Sequence, residues 1–346
     1  MNPQAKLIFT TSLLLGTTIT ITSNHWIMAW TGLEINTLAI LPLISKSHHP
    51  RAVEAATKYF LVQATASALI LFSSMTNAWY TGQWDIAQLT HPTSCSILTA
   101  AIAMKLGLVP FHFWFPEVLQ GTSLVTGLIL STAMKFPPIT LLFLTSHSLN
   151  PSLLTTMAIL SAALGGWMGL NQTQIRKILA FSSISHLGWM AIIICYNPKL
   201  TLLNFYLYAL MTTTVFLTLN TMKATKLTTL MTTWSKSPAL NTMLLLTLLS
   251  LAGLPPLTGF MPKWLILQEL TKQDMAPAAV LISLLSLLSL FFYLRLMYCT
   301  AITLPPHTTN HMKQWHISKP TNIWIAITTT LSITLLPLSP MLLALT

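Results

Sequence analysis

Four ionisable side chains interrupt stretches of sequence that are otherwise apolar: Glu34, Lys105, Lys135 and Lys263. Each stretch is about twenty residues long, the length that crosses a bilayer as a helix. A charge near the bilayer centre costs about 2.5–3.5 kcal/mol on insertion scales, and such residues usually belong to an ion or proton pathway. The four residues therefore predict proton or ion movement through a membrane.

These residue types support reversible proton binding. Low-dielectric surroundings favour the neutral amine of a lysine, whereas a neighbouring carboxylate favours the ammonium form. A Glu–Lys pair that opens and closes can load and release a proton, and we expect Glu34, the only acid at mid-depth, to pair with Lys105. A static ion pair that fixes helix packing is the alternative, but one glutamate cannot neutralise three lysines.

Two histidines inside the expected spans could extend a relay, because imidazole both donates and accepts hydrogen bonds. His112 follows Pro110 by two residues, and His186 lies beside serines in 181-FSSISHLGWM-190. Hydrogen-bonded packing is an equally good interpretation of each histidine. Glu117, near the basic face, is interpreted equally well as an entry-side acid or as a surface acid.

The composition is that of a polytopic membrane protein. Of 346 residues, 53% are hydrophobic and 7% are charged, and the mean hydropathy is +0.68, whereas soluble domains have about 25% charged residues. The net charge of +11 is better explained by orientation in a membrane than by nucleic-acid binding. Cys95, Cys195 and Cys299 match no metal or iron–sulfur spacing, so we predict no metal or redox cofactor on this chain.

Hydropathy divides the chain into eleven expected spans. They cover residues 4–22, 25–44, 53–80, 96–119, 123–145, 150–170, 177–196, 201–222, 239–270, 277–299 and 322–343. Clusters of Pro, Asn, Ser and Lys separate them. Glu54 and Lys58 are spaced as an ion pair on the first turn of the third span.

Basic residues predict the orientation. Eleven of the 17 lie on the side of the N-terminus and the even-numbered connections: Lys6, Lys46, Arg51, Lys58, Arg176, Lys177, Lys223, Lys226, Lys236, Lys313 and Lys319. Only Lys199 and Lys272 lie on the other side. Because positive residues stay on the side of synthesis, the N-terminus should face that compartment and the C-terminus the opposite one.

Two expected spans contain helix-breaking residues. The fourth span is broken at 105-KLGLVP-110, and the ninth at 253-GLPPLTG-259. Each is the fourth span in a group of five, and 146 residues separate Gly107 from Gly253. Because five is odd, the second group enters the membrane from the opposite face, which is the inverted-repeat layout of many ion-coupled transporters.

The predicted fold is therefore an all-α membrane protein of about eleven transmembrane helices in a single membrane domain, residues 1–346. A first five-helix repeat covers residues 1–145, and a second, inverted repeat covers residues 146–300. A loop and a C-terminal helix follow in residues 301–346.

The motifs 105-KLGLVPFHFWFPEVLQG-121, 252-AGLPPLTGFMPKW-264 and 181-FSSISHLGWM-190 resemble those of the antiporter-like membrane subunits of respiratory complex I. The resemblance covers essentially the whole chain, and the heavy use of Met and Thr fits a mitochondrially encoded product. Bacterial members of the family have fourteen spans, and this chain resembles the last eleven.

The resemblance implies a proton channel driven by redox chemistry in other subunits. Glu34 and Lys105 match the input pair, Lys135 the central lysine and Lys263 the exit residue. It implies a subunit of the H+-translocating NADH:ubiquinone reductase, with NADH, FMN, iron–sulfur clusters and ubiquinone bound elsewhere. It also implies the mitochondrial inner membrane, the N-terminus in the matrix and the C-terminus in the intermembrane space. The expected partners are other complex I subunits, neighbouring antiporter-like subunits among them, and membrane lipids such as cardiolipin.

Two other functions compete with this interpretation. A free-standing cation/proton antiporter needs a substrate site rich in acids, and one mid-depth acid is too few. A non-pumping scaffold predicts that all buried charges are paired. One glutamate cannot pair with three lysines, which argues against a scaffold.

Overall fold

The computed structural model describes residues 2–233, 237–301 and 323–339. Within those ranges the regular elements are helices, and two isolated β-bridges join loops, His25 with Asp85 and Gln174 with Lys226. The expected all-helical class is therefore confirmed for the described chain. The described residues do not include Lys236, Lys313 and Lys319, three of the eleven basic residues that predict the orientation. They also exclude the C-terminal residue, Thr346, and most of the connection over 300–321.

The first half of the chain forms seven helices: α1 (Pro3–Thr22), α2 (Trp26–Ile44), α3 (Pro50–Thr81), α4 (Pro92–Leu106), α5 (Trp114–Gly121), α6 (Leu124–Ser131) and α7 (Phe136–Leu144). Short 3-10 turns occupy Ser45–Ser47 and Ala133–Lys135. Pro3, Pro50 and Pro92 begin α1, α3 and α4, where the missing N–H would have no helical partner.

The second half forms eight helices in the described ranges: α8 (Pro151–Gly169), α9 (Ile175–Ile193), α10 (Pro198–Met222), α11 (Leu227–Met231), α12 (Pro238–Ala252), α13 (Phe260–Lys272), α14 (Ala276–Ala301) and α15 (Ile323–Thr334). A 3-10 turn follows at Leu336–Leu338. Seven segments in the described chain are long and apolar enough to cross a membrane: α1, α2, α3, α6 with α7, α8, α10 and α14.

Both predicted helix breaks are present. Helix α4 ends before Gly107 and α5 begins at Trp114, while α12 ends before Gly253 and α13 begins at Phe260. The two glycines have φ of +79° and +81°, a left-handed conformation that glycine adopts without steric cost.

Two other predicted spans are present but not as single helices. The span over 123–145 corresponds to the apolar segment Leu124–Leu144, which is interrupted at Ala133–Lys135 because Pro137 and Pro138 cannot donate backbone hydrogen bonds and begin a new helix instead. In the span over 322–343, α15 ends at Thr334, ahead of Pro337. Residues 340–346 lie outside the described chain.

The two halves share one core. Two clusters of buried apolar side chains each draw residues from both halves, so neither half has a core of its own. Close approach depends on small residues: a Cβ at Gly165 of α8 would lie 2.8 Å from the backbone nitrogen of Ser185 in α9. The absence of a side chain at Gly165 therefore lets α8 and α9 pack closely.

Candidate functional site

The structure places the four predicted charged residues on four different elements. Lys105 is in the last turn of α4 and Lys135 in the 3-10 turn between α6 and α7, and both are buried. Lys263 is in the first turn of α13 and Glu34 in the middle of α2, and both are half-buried. Each of the three lysines therefore lies at or beside an interruption of a helix.

At the first break, side chains other than that of Lys105 donate hydrogen bonds to the free backbone carbonyls. The indole of Trp114 donates to the carbonyl of Met104 at 3.1 Å, and the amide of Gln63 donates to the carbonyl of Lys105 at 3.3 Å. The buried ammonium of Lys105 finds no hydrogen-bond partner within the described chain. The backbone of this break is thus stable without the charge that lies beside it.

Glu34 is held by hydroxyl groups. Its carboxylate accepts hydrogen bonds from Ser67 of α3 and, at 3.0 Å, from Thr37. It lies within electrostatic reach of Lys105, but no direct ion pair joins the two in the described part of the protein. Glu34 and Lys105 therefore make no direct contact within the described chain. A pairing of the two through one water molecule stays a prediction.

A small cavity separates Lys105 from Lys135. Both lysines line it, together with Tyr59, Gln63, Trp114, Leu130 and Met134. Its volume is about 10 Å³, close to the minimum for one water molecule. The two cationic side chains therefore face one shared space of water-molecule size.

Lys135 is surrounded by aromatic rings. Its ammonium lies 4.4 Å from the ring centre of Phe115 and 5.6 Å from that of Tyr208. It has no hydrogen-bond partner among the residues the structure describes. Cation–π attraction of about 0.5–2 kcal/mol stabilises the charged form without neutralising it.

The second break uses its lysine differently. The ammonium of Lys263 donates to the carbonyl of Ala252 at 2.8 Å and lies 5.8 Å from the ring of Trp189. Thr258, inside the break, donates to the carbonyl of Ser332 in α15. The C-terminal helix thus contacts the unwound segment directly.

His186 is within electrostatic reach of both Lys135 and Lys263. Its ring centre is 5.4 Å from that of Tyr208, and its Nε2 is 3.4 Å from the hydroxyl of Tyr293. This contact is compatible with a relay and with hydrogen-bonded packing, so the role of His186 stays a prediction.

The name array is used for Glu34, Lys105, Lys135, Lys263 and His186 with the polar side chains around them. Several of its polar members were not predicted from the sequence. Gln63 and Ser67 are four residues apart in α3, a polar stripe on an apolar helix that the sequence does show. The tyrosines Tyr59, Tyr208 and Tyr293 had no such signal, since tyrosine is common in apolar spans. Only the fold brings them to the lysines.

His112 lies apart from this array. It is 2% exposed and lines a different cavity, with Glu117 and Phe181 among its neighbours. The predicted ion pair of Lys58 with Glu54 is confirmed at 2.6 Å, and Lys58 makes a second pair with Glu117, also at 2.6 Å. That second pair, across 59 residues of sequence, was not predicted.

The array contains two carboxylate oxygens, three amines, one imidazole and several hydroxyls. These are groups that can bind and release protons or form hydrogen bonds with water. Within the described ranges, no group of three or more His, Cys, Asp or Glu side chains could hold a metal ion.

Comparisons with known proteins place this arrangement in context. Residues 23–289 match the family model described as NADH:quinone oxidoreductase/Mrp antiporter, TM, and residues 290–343 match that of the NADH dehydrogenase subunit 2 C-terminus. The chain is 77% identical to NADH-ubiquinone oxidoreductase chain 2 of Struthio camelus and 72% identical to that of Gallus gallus, in both cases over 99% of each chain.

Solved structures agree with these relatives. A chain of respiratory complex I from Thermus thermophilus with bound aureothin superposes with a TM-score of 0.86 at 26% identity, over 96% of this chain and 77% of that one. A chain of the Mrp complex from Dietzia sp. DQ12-45-1b superposes with a TM-score of 0.85 at 16% identity, over 96% and 75%. The latter likeness is one of fold.

Proposed function

Because the chain belongs to the NADH:quinone oxidoreductase/Mrp antiporter family, we propose that it translocates protons as a membrane subunit of respiratory NADH:ubiquinone oxidoreductase, complex I. It is a multi-pass protein of the mitochondrial inner membrane. The enzyme of which it is a part oxidises NADH and reduces ubiquinone, and this chain contributes the proton movement.

One observation carries the proposal: Lys105 and Lys135 are buried, face the same cavity of about 10 Å³ and have no carboxylate partner in direct contact within the described chain. A buried ammonium group without a directly paired carboxylate is costly. Holding only one proton between the two amines lowers that cost. The pair is therefore suited to passing a proton from one lysine to the other.

The pathway uses the array in spatial order. Glu34 and Lys105 form the input, with Ser67 and Thr37 holding the carboxylate. Lys135 is the central site, and His186 with Tyr208 and Tyr293 links it to Lys263. Lys263, bonded to the backbone of the second break, is the exit. His112 serves as a relay on the entry side of this line.

The helices support eleven spans in two inverted repeats, residues 1–145 and 146–300, followed by residues 301–346. Helices α4 with α5, and α12 with α13, are the interrupted fourth spans of the two repeats, and α15 belongs to the eleventh span. The distribution of basic residues favours the N-terminus in the matrix and the C-terminus in the intermembrane space.

Redox chemistry belongs to other subunits. NADH, FMN, iron–sulfur clusters and ubiquinone bind elsewhere in the complex, and this chain has no cofactor of its own. Its partners are other complex I subunits, neighbouring antiporter-like subunits among them, and its lipid-facing helices contact membrane lipids, cardiolipin included.

The competing functions fit less well. A scaffold predicts paired buried charges, but Lys105 and Lys135 make no ion pair in the described part of the chain. A free-standing cation antiporter needs several acids at mid-depth, and Glu34 is the only one.

The test is the substitution Lys135→Met, which keeps the side-chain length and removes the titratable amine. The expected result is an assembled complex that pumps fewer protons per NADH oxidised after reconstitution into vesicles. Lys199→Met, at an exposed lysine, is the matched control and should pump at the wild-type ratio. An assembled Lys135→Met complex with the wild-type ratio would remove Lys135 from the pathway and favour the scaffold.

A further inference from the structure

Two adjoining cavities flank α5 at the end of the fold that holds the starts of α3 and α9. The first, about 300 Å³, has a charged lining that includes Arg51, Glu54, Lys58, Glu117 and Lys177. The second, about 150 Å³, includes His112, Glu117, Met168, Lys177 and Phe181. Glu117 and Lys177 line both cavities, so the first cavity, with its charged lining, adjoins the cavity that contains His112.

Lys58 forms an ion pair with Glu117, the acid that lines both cavities. Its ammonium is 2.6 Å from a carboxylate oxygen of Glu54, one turn away on the same helix, and 2.6 Å from one of Glu117 on α5. The side chains of Lys58, Glu54 and Glu117 are 41%, 60% and 53% exposed, so water reaches all three. An exposed ion pair is weak, at about 0–1 kcal/mol. Lys58 can therefore release Glu117 at little cost, with or without its bond to Glu54.

His112 is the inner end of the route. It is 2% exposed, and neither ring nitrogen makes a hydrogen bond of ordinary geometry within the described chain, the carbonyl of Pro110 being the polar group nearby. A buried imidazole without partners is costly unless water satisfies it. The second cavity, at about 150 Å³, is large enough for several waters. Water can thus connect the Glu117 carboxylate with the ring of His112.

We propose that Glu117, controlled by Lys58, is the matrix-side proton inlet of this subunit. When Lys58 leaves Glu117, the freed carboxylate takes a proton from matrix water. The neutral acid then passes that proton through water in the second cavity to a free ring nitrogen of His112, and the carboxylate returns to Lys58. This inlet rests on the proposed function, because it presupposes proton translocation and the matrix orientation.

The structure offers a matched pair of substitutions. Glu117→Gln and Glu54→Gln each remove one of the two ion pairs of Lys58, at equal distances and similar exposure. If Glu117 only anchors Lys58, the two variants behave alike. If Glu117 is the inlet, E117Q lowers the number of protons pumped per NADH to the level of Lys135→Met, whereas E54Q stays at the wild-type ratio.

A second variant tests the inlet even if the E117Q complex does not assemble. Met168→Trp adds bulk to the second cavity without changing any charge, and it should lower the same ratio by displacing water between Glu117 and His112. Equal ratios for E117Q and E54Q, or a wild-type ratio for an assembled Met168→Trp complex, would overturn the inlet. If the inlet fails this test, the Lys135→Met complex decides whether the proposed function fails with it. Fewer protons pumped per NADH by Lys135→Met would leave the proposed function intact, and a wild-type number would remove it.

Discussion

At the first interrupted helix, the freed carbonyls of Met104 and Lys105 accept hydrogen bonds from Trp114 and Gln63, whereas at the second the carbonyl of Ala252 accepts one from Lys263. Both breaks begin at a left-handed glycine and both have a lysine within reach. The difference lies in what the lysine does. At the first break neutral side chains satisfy the backbone, and the ammonium has no bond to it. At the second, the ammonium is itself part of the backbone structure.

This difference separates two roles. A lysine without hydrogen bonds can change its protonation state without disturbing the helices around it, which suits a site that is loaded and emptied. A lysine that bonds to a freed carbonyl couples its charge to the shape of the break, because a charged donor makes the stronger bond. The second break should therefore respond structurally to its lysine, and the first should not.

The sharpest test of this comparison uses Lys263→Met and Lys105→Met. Both substitutions should stop proton transfer. Lys263→Met also leaves the carbonyl of Ala252 without its donor, which costs about 1–3 kcal/mol for a buried group. We expect a lower thermal stability of the isolated complex for Lys263→Met than for Lys105→Met, which removes no hydrogen bond. Equal losses of stability would show that the two breaks do not differ in this way.

The glycines give a second test. Gly107→Ala and Gly253→Ala both force a side chain into left-handed backbone, at about 1–2 kcal/mol. A Cβ at Gly253 would also lie 3.0 Å from the ammonium of Lys263, whereas the nearest atom to one at Gly107 is 3.6 Å away. We expect Gly253→Ala to reduce pumping per NADH further than Gly107→Ala. Similar pumping at matched assembly would contradict a lysine packed into the second break.

The smallest expected effect concerns the C-terminal helix. Thr258→Val removes the hydrogen bond from the second break to the carbonyl of Ser332 while keeping the side-chain volume, at about 1 kcal/mol. Thr140→Val, at a threonine of α7 that bonds only to its own helix, is the control. We expect faster cleavage by protease near the second break for Thr258→Val alone. Identical cleavage of the two variants would remove α15 from the support of this break.

Local features of the sequence were enough to predict much of the fold. Apolar length set the spans at α1, α2, α3, α8, α10 and α14 to within three residues. Glycine and proline predicted the breaks at Gly107 and Gly253, because their backbone constraints act within a few residues. Hydropathy did not predict the interruption at Ala133–Lys135, because the whole stretch is apolar and the break comes from the missing backbone N–H groups of Pro137 and Pro138.

The sequence by itself determined that Glu34, Lys105, Lys135 and Lys263 interrupt apolar stretches of bilayer-spanning length, because hydropathy is a property of the local chain. Only the tertiary structure decided their partners. Gln63 reaches Lys105 across 42 residues, Tyr293 reaches His186 across 107, and Lys58 reaches Glu117 across 59. Such contacts depend on which helix faces meet, and the hydropathy of a span does not specify the direction of each face when all sides are apolar.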